Sequence, residues 1–385
     1  MHAAVVVLAL LDLNGAVALR GVNAGGPVSW LDGGWGRLEA GGSRNELLAD
    51  AHLGAEWSTE HFGARLSGTG GRDAGGGYGG VVEAYVEARK EFGLDEVQLR
   101  AGQFFLPTSR ENKDELWQSP YALSFSALNS WIGEEVRPIG VDLQYRHITG
   151  AGHAITAAGT AFRGNDTMGT LLAWRGWSSG NRIAATGEVL PLPPLGSLPV
   201  FFPLQRHDGT QPFGRDLDGH TGYSARLRYS LPERGNVQYT FVDNQGDRLL
   251  HRGQYAWATR YHQLGAEVGN ADRLIVAAEY MRGKTGMGQG AAFVDADFYA
   301  AYLLISQKLG RSRFSGRYEM FNTEERDFSP AEWNGEHGRA WTFTWLYDLR
   351  PDLRVGAEFT QWTGARPGTP DPDARNVRLE ARYRF

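Results

Sequence analysis

The last strand of the chain alternates apolar and polar residues without a break, up to a terminal phenylalanine. Successive side chains of a strand point to opposite sides of its sheet. The two faces are Val377, Leu379, Ala381, Tyr383 and Phe385 on one side, and Asn376, Arg378, Glu380, Arg382 and Arg384 on the other. A face that is dense in arginine cannot lie in a dry core, so this strand needs water on one side and an apolar medium on the other.

The same two-residue period recurs along the chain, for example in 49–57, 223–231, 341–348 and 353–360. A soluble antiparallel sheet covers a core with its apolar face and meets solvent with its polar face. Here the apolar faces are rich in aromatic residues and alanine, and the polar faces are rich in arginine and glutamate. This combination fits a wall with lipid outside and water inside, so the sequence predicts an all-β, closed, antiparallel transmembrane β-barrel.

The composition agrees with a barrel and narrows the chemistry. The longest apolar run, Ala3 to Leu11, is far shorter than the roughly 18 residues of a spanning helix. The 385 residues include no cysteine, which excludes disulfides and cysteine-ligated metals. We expect no metal and no cofactor. A formal net charge of −5 argues against nucleic acid as a partner.

The N-terminal segment supports two interpretations. Residues 3–11 resemble the apolar part of a signal peptide, and Ala16-Val17-Ala18 resembles a cleavage site. No lysine or arginine precedes the apolar run, however, and 11–19 could equally begin a strand. We expect residues 1–33 to be a signal-like, periplasmic or luminal segment, and 34–385 to form the barrel. The protein is then exported to a bacterial outer membrane.

Clusters of Gly, Pro, Asn and Asp divide the barrel region into about 18 strands, with 16 as the alternative. Three of these predicted strands are 34–42, 168–177 and 180–190. The connections alternate in length, which predicts short periplasmic turns and longer extracellular loops. The two longest loops are 106–137 and 191–219.

Loop 106–137 is too rich in Trp, Phe and Leu to remain in water, so it needs packing of its own. Ser109 could cap two helical turns over 111–118. We expect this loop either to fold into the lumen as a constriction or to cap the rim with its charges solvated. The charged residues that would line a constriction are Arg110, Lys113, Asp114, Glu115, Glu134, Glu135 and Arg137.

Alternation also predicts which charged wall residues face the lumen. They include Arg100, Asp142, Arg146, Arg226 and Arg228. Such charges keep a pore wet and set the field that small ions experience. Their mixed signs predict weak selectivity or a transverse field. The alternative is a set of charge pairs that brace a filled, closed barrel.

Two segments carry a resemblance to a known family. Residues 100–107 read RAGQFFLP, and 131–145, after a mixed loop, read WIGEEVRPIGVDLQY. This pattern resembles the bacterial outer-membrane porins that include the phosphate-selective porins, in which a similar strand leads into an inward-folded loop. The resemblance implies a channel role. The family's phosphate selectivity goes with dense basic ladders, which this chain lacks. The terminal Tyr383 and Phe385 resemble the signature that the barrel assembly machinery reads.

These observations favour passive diffusion of small hydrophilic or charged solutes through an outer-membrane channel. One alternative is a non-conducting scaffold barrel that mounts, or is plugged by, a partner protein. Another is a polysaccharide-export barrel, because the predicted architecture also resembles that of the alginate-export barrels, by architecture only. No GxSxG motif or supported histidine pairing points to catalysis, so we expect no enzyme. The expected partners are outer-membrane lipid, the assembly machinery, solutes or ions, and a homotrimer or a protein partner.

Overall fold

The computed structural model describes residues 10–114, 116–290, 292–327 and 333–385. Within these residues, sixteen antiparallel strands close into one barrel, and the ring is completed where the first strand pairs with the last. The wall strands are β1 (Leu10–Gly25), β2 (Asn45–Ser58), β3 (Phe62–Asp73), β4 (Gly76–Phe92), β5 (Asp95–Gln103), β6 (Ile139–Ile148), β7 (Ala154–Arg163), β8 (Gly222–Leu231), β9 (Gly235–Asp243), β12 (Ala258–Gly269), β13 (Leu274–Gln289), β14 (Ala292–Leu309), β15 (Ser312–Glu325), β16 (Glu336–Arg350), β17 (Leu353–Ala365) and β18 (Ala374–Arg384). Two short strands, β10 (Leu250–His251) and β11 (Gln254–Tyr255), form a separate hairpin.

The structure confirms the predicted closed barrel and its alternative count of 16 strands. The count of 18 is too high because 34–42, 168–177 and 180–190 form no wall strand. The predicted start of the barrel at residue 34 is also wrong. Residues 10–25 form β1, which pairs along its length with both β2 and β18. Residues 1–9 of the predicted N-terminal segment lie outside the described residues.

The exterior carries the apolar face of each strand, as alternation predicts. On β18, Val377 and Leu379 are exposed, whereas Arg378 and Arg382 are at most 5 % exposed because they point inward. Exposed apolar residues of this kind follow every wall strand and form a belt around the barrel. Exposed aromatic side chains lie toward both ends of the strands, with Tyr280 and Trp341 toward the extracellular side and Trp345, Tyr383 and Phe385 toward the periplasmic side. This is the exterior of a barrel that crosses a bilayer.

Three connections turn into the barrel and bury one another there: 26–44, 104–138 and 164–221. They carry the helices α1 (Ala127–Glu135), α2 (Thr170–Trp174) and α3 (Leu198–Phe201) and a 3-10 turn, Trp30–Asp32. Among the described residues, no helix is long and apolar enough to cross a membrane. The main hydrophobic core therefore lies within the lumen, between these inward segments and the inner face of the wall.

Candidate functional site: the barrel lumen

The connection between β5 and β6, residues 104–138, crosses the lumen to the opposite wall. Arg110 reaches Asn236 and Gln238 on β9, at 2.5 and 3.3 Å. Asp114 pairs with Arg384 on β18 at 2.9 Å. Since β9 and β18 lie far apart in the ring, this segment divides the lumen in two.

Buried carboxylates on the wall hold the segment through its backbone and amide groups. Glu358 on β17 accepts the N–H of Leu123 at 2.7 Å, and Glu319 on β15 accepts the N–H of Ala127 at 2.6 Å. The amide nitrogen of Asn129 donates to Glu279 on β13 at 2.8 Å. A buried N–H without an acceptor is costly, so these carboxylates fix the position of the loop.

Arg317 on β15 is the cation that compensates these acids. Its guanidinium contacts Glu111 of the loop and Glu319 of its own strand, and it donates to the backbone oxygens of Ser124 and Phe125. The side chains of Arg317, Glu111 and Glu319 are at most 1 % exposed. Loop and wall therefore share one desolvated ion network, and removing a single member would leave a buried charge uncompensated.

The second inward segment, 164–221, is joined to the first through Glu135 at the end of α1. This carboxylate accepts three N–H groups, from the indole of Trp131 at 2.7 Å and from the backbones of Gly169 and Leu171 at 3.1 and 3.0 Å. Complete burial raises the pKa of Glu135 to about 7, although these hydrogen bonds favour the charged form. Glu135 thus connects α1 to the start of α2.

The neighbouring Glu134 makes the matching ionic link. It pairs with Arg175, just after α2, at 2.7 Å and accepts the hydroxyl of Ser178 at 3.0 Å. The guanidinium of Arg175 also lies 4.3 Å from the ring centre of Trp30, in the third inward segment. The three segments therefore behave as one packed body inside the barrel.

The segment 26–44 is attached to the wall by two buried ion pairs. Arg37 pairs with Glu336 on β16 at 3.0 Å, and Glu39 pairs with Arg378 on β18 at 3.2 Å. Glu39 also accepts the backbone N–H of Asn181 from the second segment at 3.4 Å.

The residues predicted to line a constriction fall into two groups. Lys113 and Asp114 are partly exposed, and Lys113 contacts Glu267 on β12. Arg110, Glu134, Glu135 and Arg137 are buried, and Glu115 lies outside the described residues. Arg137 stacks between Phe105 and Phe213, at 5.2 and 4.0 Å from the ring centres, so it is part of the packing between two segments.

The wall residues predicted from alternation do point inward, and most are paired. Asp142 on β6 and Arg226 on β8 form a buried pair at 2.7 Å across the intervening β7. Arg100 on β5 lies 3.6 Å from Glu87 on β4 and stacks on Tyr85 at 4.6 Å. Arg146 and Arg228 differ from these because, within the described part of the chain, neither lies within 4 Å of a carboxylate.

Arg146, Arg228 and Arg110 form a basic row across four strands. Register places Arg146 on β6 beside Thr156 on β7, Thr156 beside Arg228 on β8, and Arg228 beside Gln238 on β9, to which Arg110 donates. Glu96 on β5 faces Arg146 in register but forms no ion pair with it. Arg146 is exposed and Arg228 half-buried, whereas Arg110 is buried. Arg146 and Arg228 therefore border water in the periplasmic half of the lumen.

Sequence reasoning missed the ion network at the closure of the ring. Arg20 on β1 pairs with Asp50 on β2 at 2.9 Å and with Glu380 on β18 at 2.5 Å. The sequence predicts Arg20 to lie in the N-terminal segment 1–33 and not in the wall. The inward course of 168–190 was missed as well, because wall strands were predicted there. Its apolar Leu171, Leu172 and Trp174 are buried inside the barrel.

Comparison with known proteins shows the same architecture in outer-membrane barrels of very different sequence. The outer membrane channel DcaP of Acinetobacter baumannii has a TM-score of 0.59 at 12 % identity, over 98 % of this chain and 97 % of that one. The trimer form of OmpT, an outer membrane protein of Vibrio cholerae, has a TM-score of 0.56 at 11 % identity, over 98 % and 99 %. The anion-selective porin from Comamonas acidovorans has a TM-score of 0.54 at 11 % identity, over 98 % and 100 %.

No family model matches the chain, and no curated protein matches it in sequence. The likeness to solved structures is therefore a likeness of fold, that of the bacterial porins. A closed barrel with an apolar belt and short turns on one side is the architecture of outer-membrane proteins, and this chain resides in such a membrane.

Proposed function

We propose that this barrel is a channel for passive diffusion of small hydrophilic solutes across the outer membrane, with a preference for anions. The observation that carries the proposal is the basic row of Arg110, Arg146 and Arg228. Arg146 and Arg228 border water on one side of the segment 104–138, which narrows the passage, and the buried Arg110 lies behind them. No catalytic step is part of this proposal.

The charge distribution across the lumen supports the preference for anions. On the far side of segment 104–138, the buried charges form mutual networks such as Arg20 with Asp50 and Glu380, which leave little net field. On the near side the row adds cations without paired carboxylates. A passing anion would meet these cations where low-dielectric walls strengthen their field.

Specificity for phosphate, which the family resemblance suggested, is not part of the proposal. One row of three arginines is a single step of positive charge and not a ladder that extends along the pore. We propose instead a weak, general preference for small anions. We also propose that the protein assembles as a homotrimer and that Tyr383 and Phe385 serve as its assembly signal.

Single-channel recording in a planar bilayer under a salt gradient tests the proposal. Wild-type protein should give stable conductance steps with a reversal potential on the anion side. Arg146→Gln/Arg228→Gln should move the reversal potential toward the cation side. The matched control, Arg339→Gln, removes an exposed arginine from the outer face of β16 and should leave it unchanged.

A second function is favoured by the filling of the lumen. Three segments pack there, and Arg20, Arg317, Glu358 and Arg378 in the wall are at most 2 % exposed. A filled barrel would serve as a non-conducting scaffold for a partner protein. Absence of conductance from protein shown to be folded would reject the channel and support the scaffold. Polysaccharide export needs a wide lumen, and the three packed segments occupy that space.

A further inference from the structure

Four basic residues occupy the corners of one cell on the outer surface of β12 and β13. Register pairs Arg260 with Lys284, and it pairs His262 with Arg282, which is the next cross-strand pair on the same face. All four residues are exposed. They point away from the lumen, since their strand neighbours Tyr261, Gln263, Met281 and Gly283 are the buried, inward-facing set. We call Arg260, His262, Arg282 and Lys284 the basic square.

The basic square lies at the extracellular edge of the apolar belt. β12 and β13 are joined by a short turn at 270–273, which marks the periplasmic side. From that turn upward, the outward-facing residues are Val268, Ala266 and Leu264 on β12, and Leu274, Val276, Ala278 and Tyr280 on β13. The next positions are His262 and Arg282. At about 3.3 Å per residue, the square sits where the head groups of the outer leaflet begin.

The protein balances the charges of the square only in part. Asp243 on β9 faces Arg260 in register but forms no ion pair with it. Among the described residues, neither Arg260 nor Arg282 lies within 4 Å of a carboxylate. Lys284 lies 3.5 Å from Asp297, and Asp297 also forms an ion pair with Arg326 at 3.0 Å. Like charges directly opposite each other on a sheet are destabilising, and this cell contains such a pair in Arg260 and Lys284. An external anion would relieve that repulsion.

Aromatic groups flank the square on the β9 side. The Nδ1 atom of His262 lies 2.6 Å from the hydroxyl of Tyr239, and the His262 ring lies 5.0 Å from that of Phe241. Tyr239 and Tyr280 are both about 45 % exposed. The square is therefore bordered by amphipathic rings of the type that settles at a membrane interface.

We propose that the basic square binds the phosphate group of a lipid in the outer leaflet, with the acyl chains of that lipid lying on the belt below. Arg260 and Arg282 offer planar donor forks that match phosphate oxygens, and Lys284 adds a point charge. Basic clusters at this depth recognise lipid head groups. Continuity with the apolar surface of Leu264 and Tyr280 selects a lipid-borne phosphate over the free ion.

Binding of fluorescent diphosphorylated lipid A to the purified full-length barrel in detergent tests this proposal. Arg260→Gln/Arg282→Gln should weaken binding about 30-fold, and high salt should weaken wild-type binding in the same direction. The matched control is Arg339→Gln, an outward-facing arginine on β16 with no basic partner in register. It should bind the lipid as the wild type does.

Two comparisons on wild-type protein keep the proposal testable even if the double variant fails to fold. Dephosphorylated lipid A should bind at least tenfold more weakly than the diphosphorylated form, because the phosphates carry the contact. Inorganic phosphate in large excess should displace little of the lipid. Equal binding of both lipids, equal binding by the folded double variant, or full displacement by inorganic phosphate would each overturn the proposal.

Discussion

Single buried carboxylates decide where the inward segments lie. Glu319, Glu358 and Glu135 each accept one or more backbone N–H groups from a segment that has few regular hydrogen bonds of its own. The two-residue alternation of the sequence puts Glu319 and Glu358 on the inward face of their strands. It could not show which amide each would meet, because those partners lie 192 and 235 residues away in the chain.

Titration of Glu135 should make the contact between α1 and α2 dependent on pH. Burial raises its pKa from 4.5 to about 7, so the packed state holds this proton more tightly than the unpacked chain does. The associated stability is fully present below pH 4.5 and is lost as the pH rises through 7. Hydrogen-exchange protection of the Gly169 and Leu171 amides should therefore fall between pH 5 and pH 8.

Glu135→Gln is the control, because an amide does not titrate in this range. It should flatten the pH dependence of protection at both amides. Protection that falls equally in the variant and the wild type would assign the effect to another group, and the neighbouring Glu134 would be the next to replace.

At the scale of elements, pairing of β1 with β18 closes the barrel. The backbones of Gly15 on β1 and Phe385 exchange two hydrogen bonds, of 2.9 and 3.0 Å. The Phe385 ring lies over Gly15, where an added Cβ would sit 2.4 Å from it. An aromatic ring that covers a glycine on a neighbouring strand protects the backbone there. The terminal aromatic is therefore packed at the closure of the ring.

Gly15→Ala should lower the thermal unfolding midpoint, since the new methyl group displaces the half-exposed Phe385 ring, at a cost of about 1 kcal/mol, the low end of the range for overpacking. Gly21→Ala is a close control on the same strand and the same outward face, because nothing lies within 4 Å of its added Cβ. That variant should keep the wild-type midpoint. Heat-dependent mobility on gels would measure both, and equal midpoints would show that the ring is not held at Gly15.

Helices inside the lumen were harder to predict than strands in the wall. Ser109 does accept the backbone N–H groups of Glu111 and Asn112, but no helix follows it among the described residues of 110–118. The helix begins instead after Ser126, whose hydroxyl accepts the N–H of Asn129. The ion pair between Glu111 and Arg317 of the wall holds the backbone after Ser109 in a non-helical path. The sequence near Ser109 does not contain this contact.

At the scale of the whole molecule, the strand pairing of the wall does not depend on the segments that fill the lumen. Every wall strand pairs with two neighbours, whereas the inward segments attach mainly through side chains. Gln103 at the end of β5 pairs directly with Ile139 at the start of β6. The segment between them is therefore an insertion into a hairpin that could close without it.

Replacing residues 105–137 by a short Asn-Gly turn should leave a folded barrel with a larger and less selective conductance. The wall keeps all its strand pairs, and the freed Arg317, Glu319 and Glu358 become hydrated instead of desolvated. Planar-bilayer recording compares the variant with the wild type. Unchanged conductance from folded protein would show that this segment does not limit the passage.

The sequence alone determined the wall, because lipid on one side and water on the other impose a two-residue period that each strand displays locally. It predicted the closed antiparallel barrel, the outward belt and the inward direction of Asp142, Arg226 and Arg228. Tertiary structure alone decided what fills the lumen. The course of 26–44, 104–138 and 164–221 depends on pairs such as Arg37 with Glu336, which join residues hundreds of positions apart. Such contacts produce no periodic pattern in the sequence, because their partners come together only when the barrel closes.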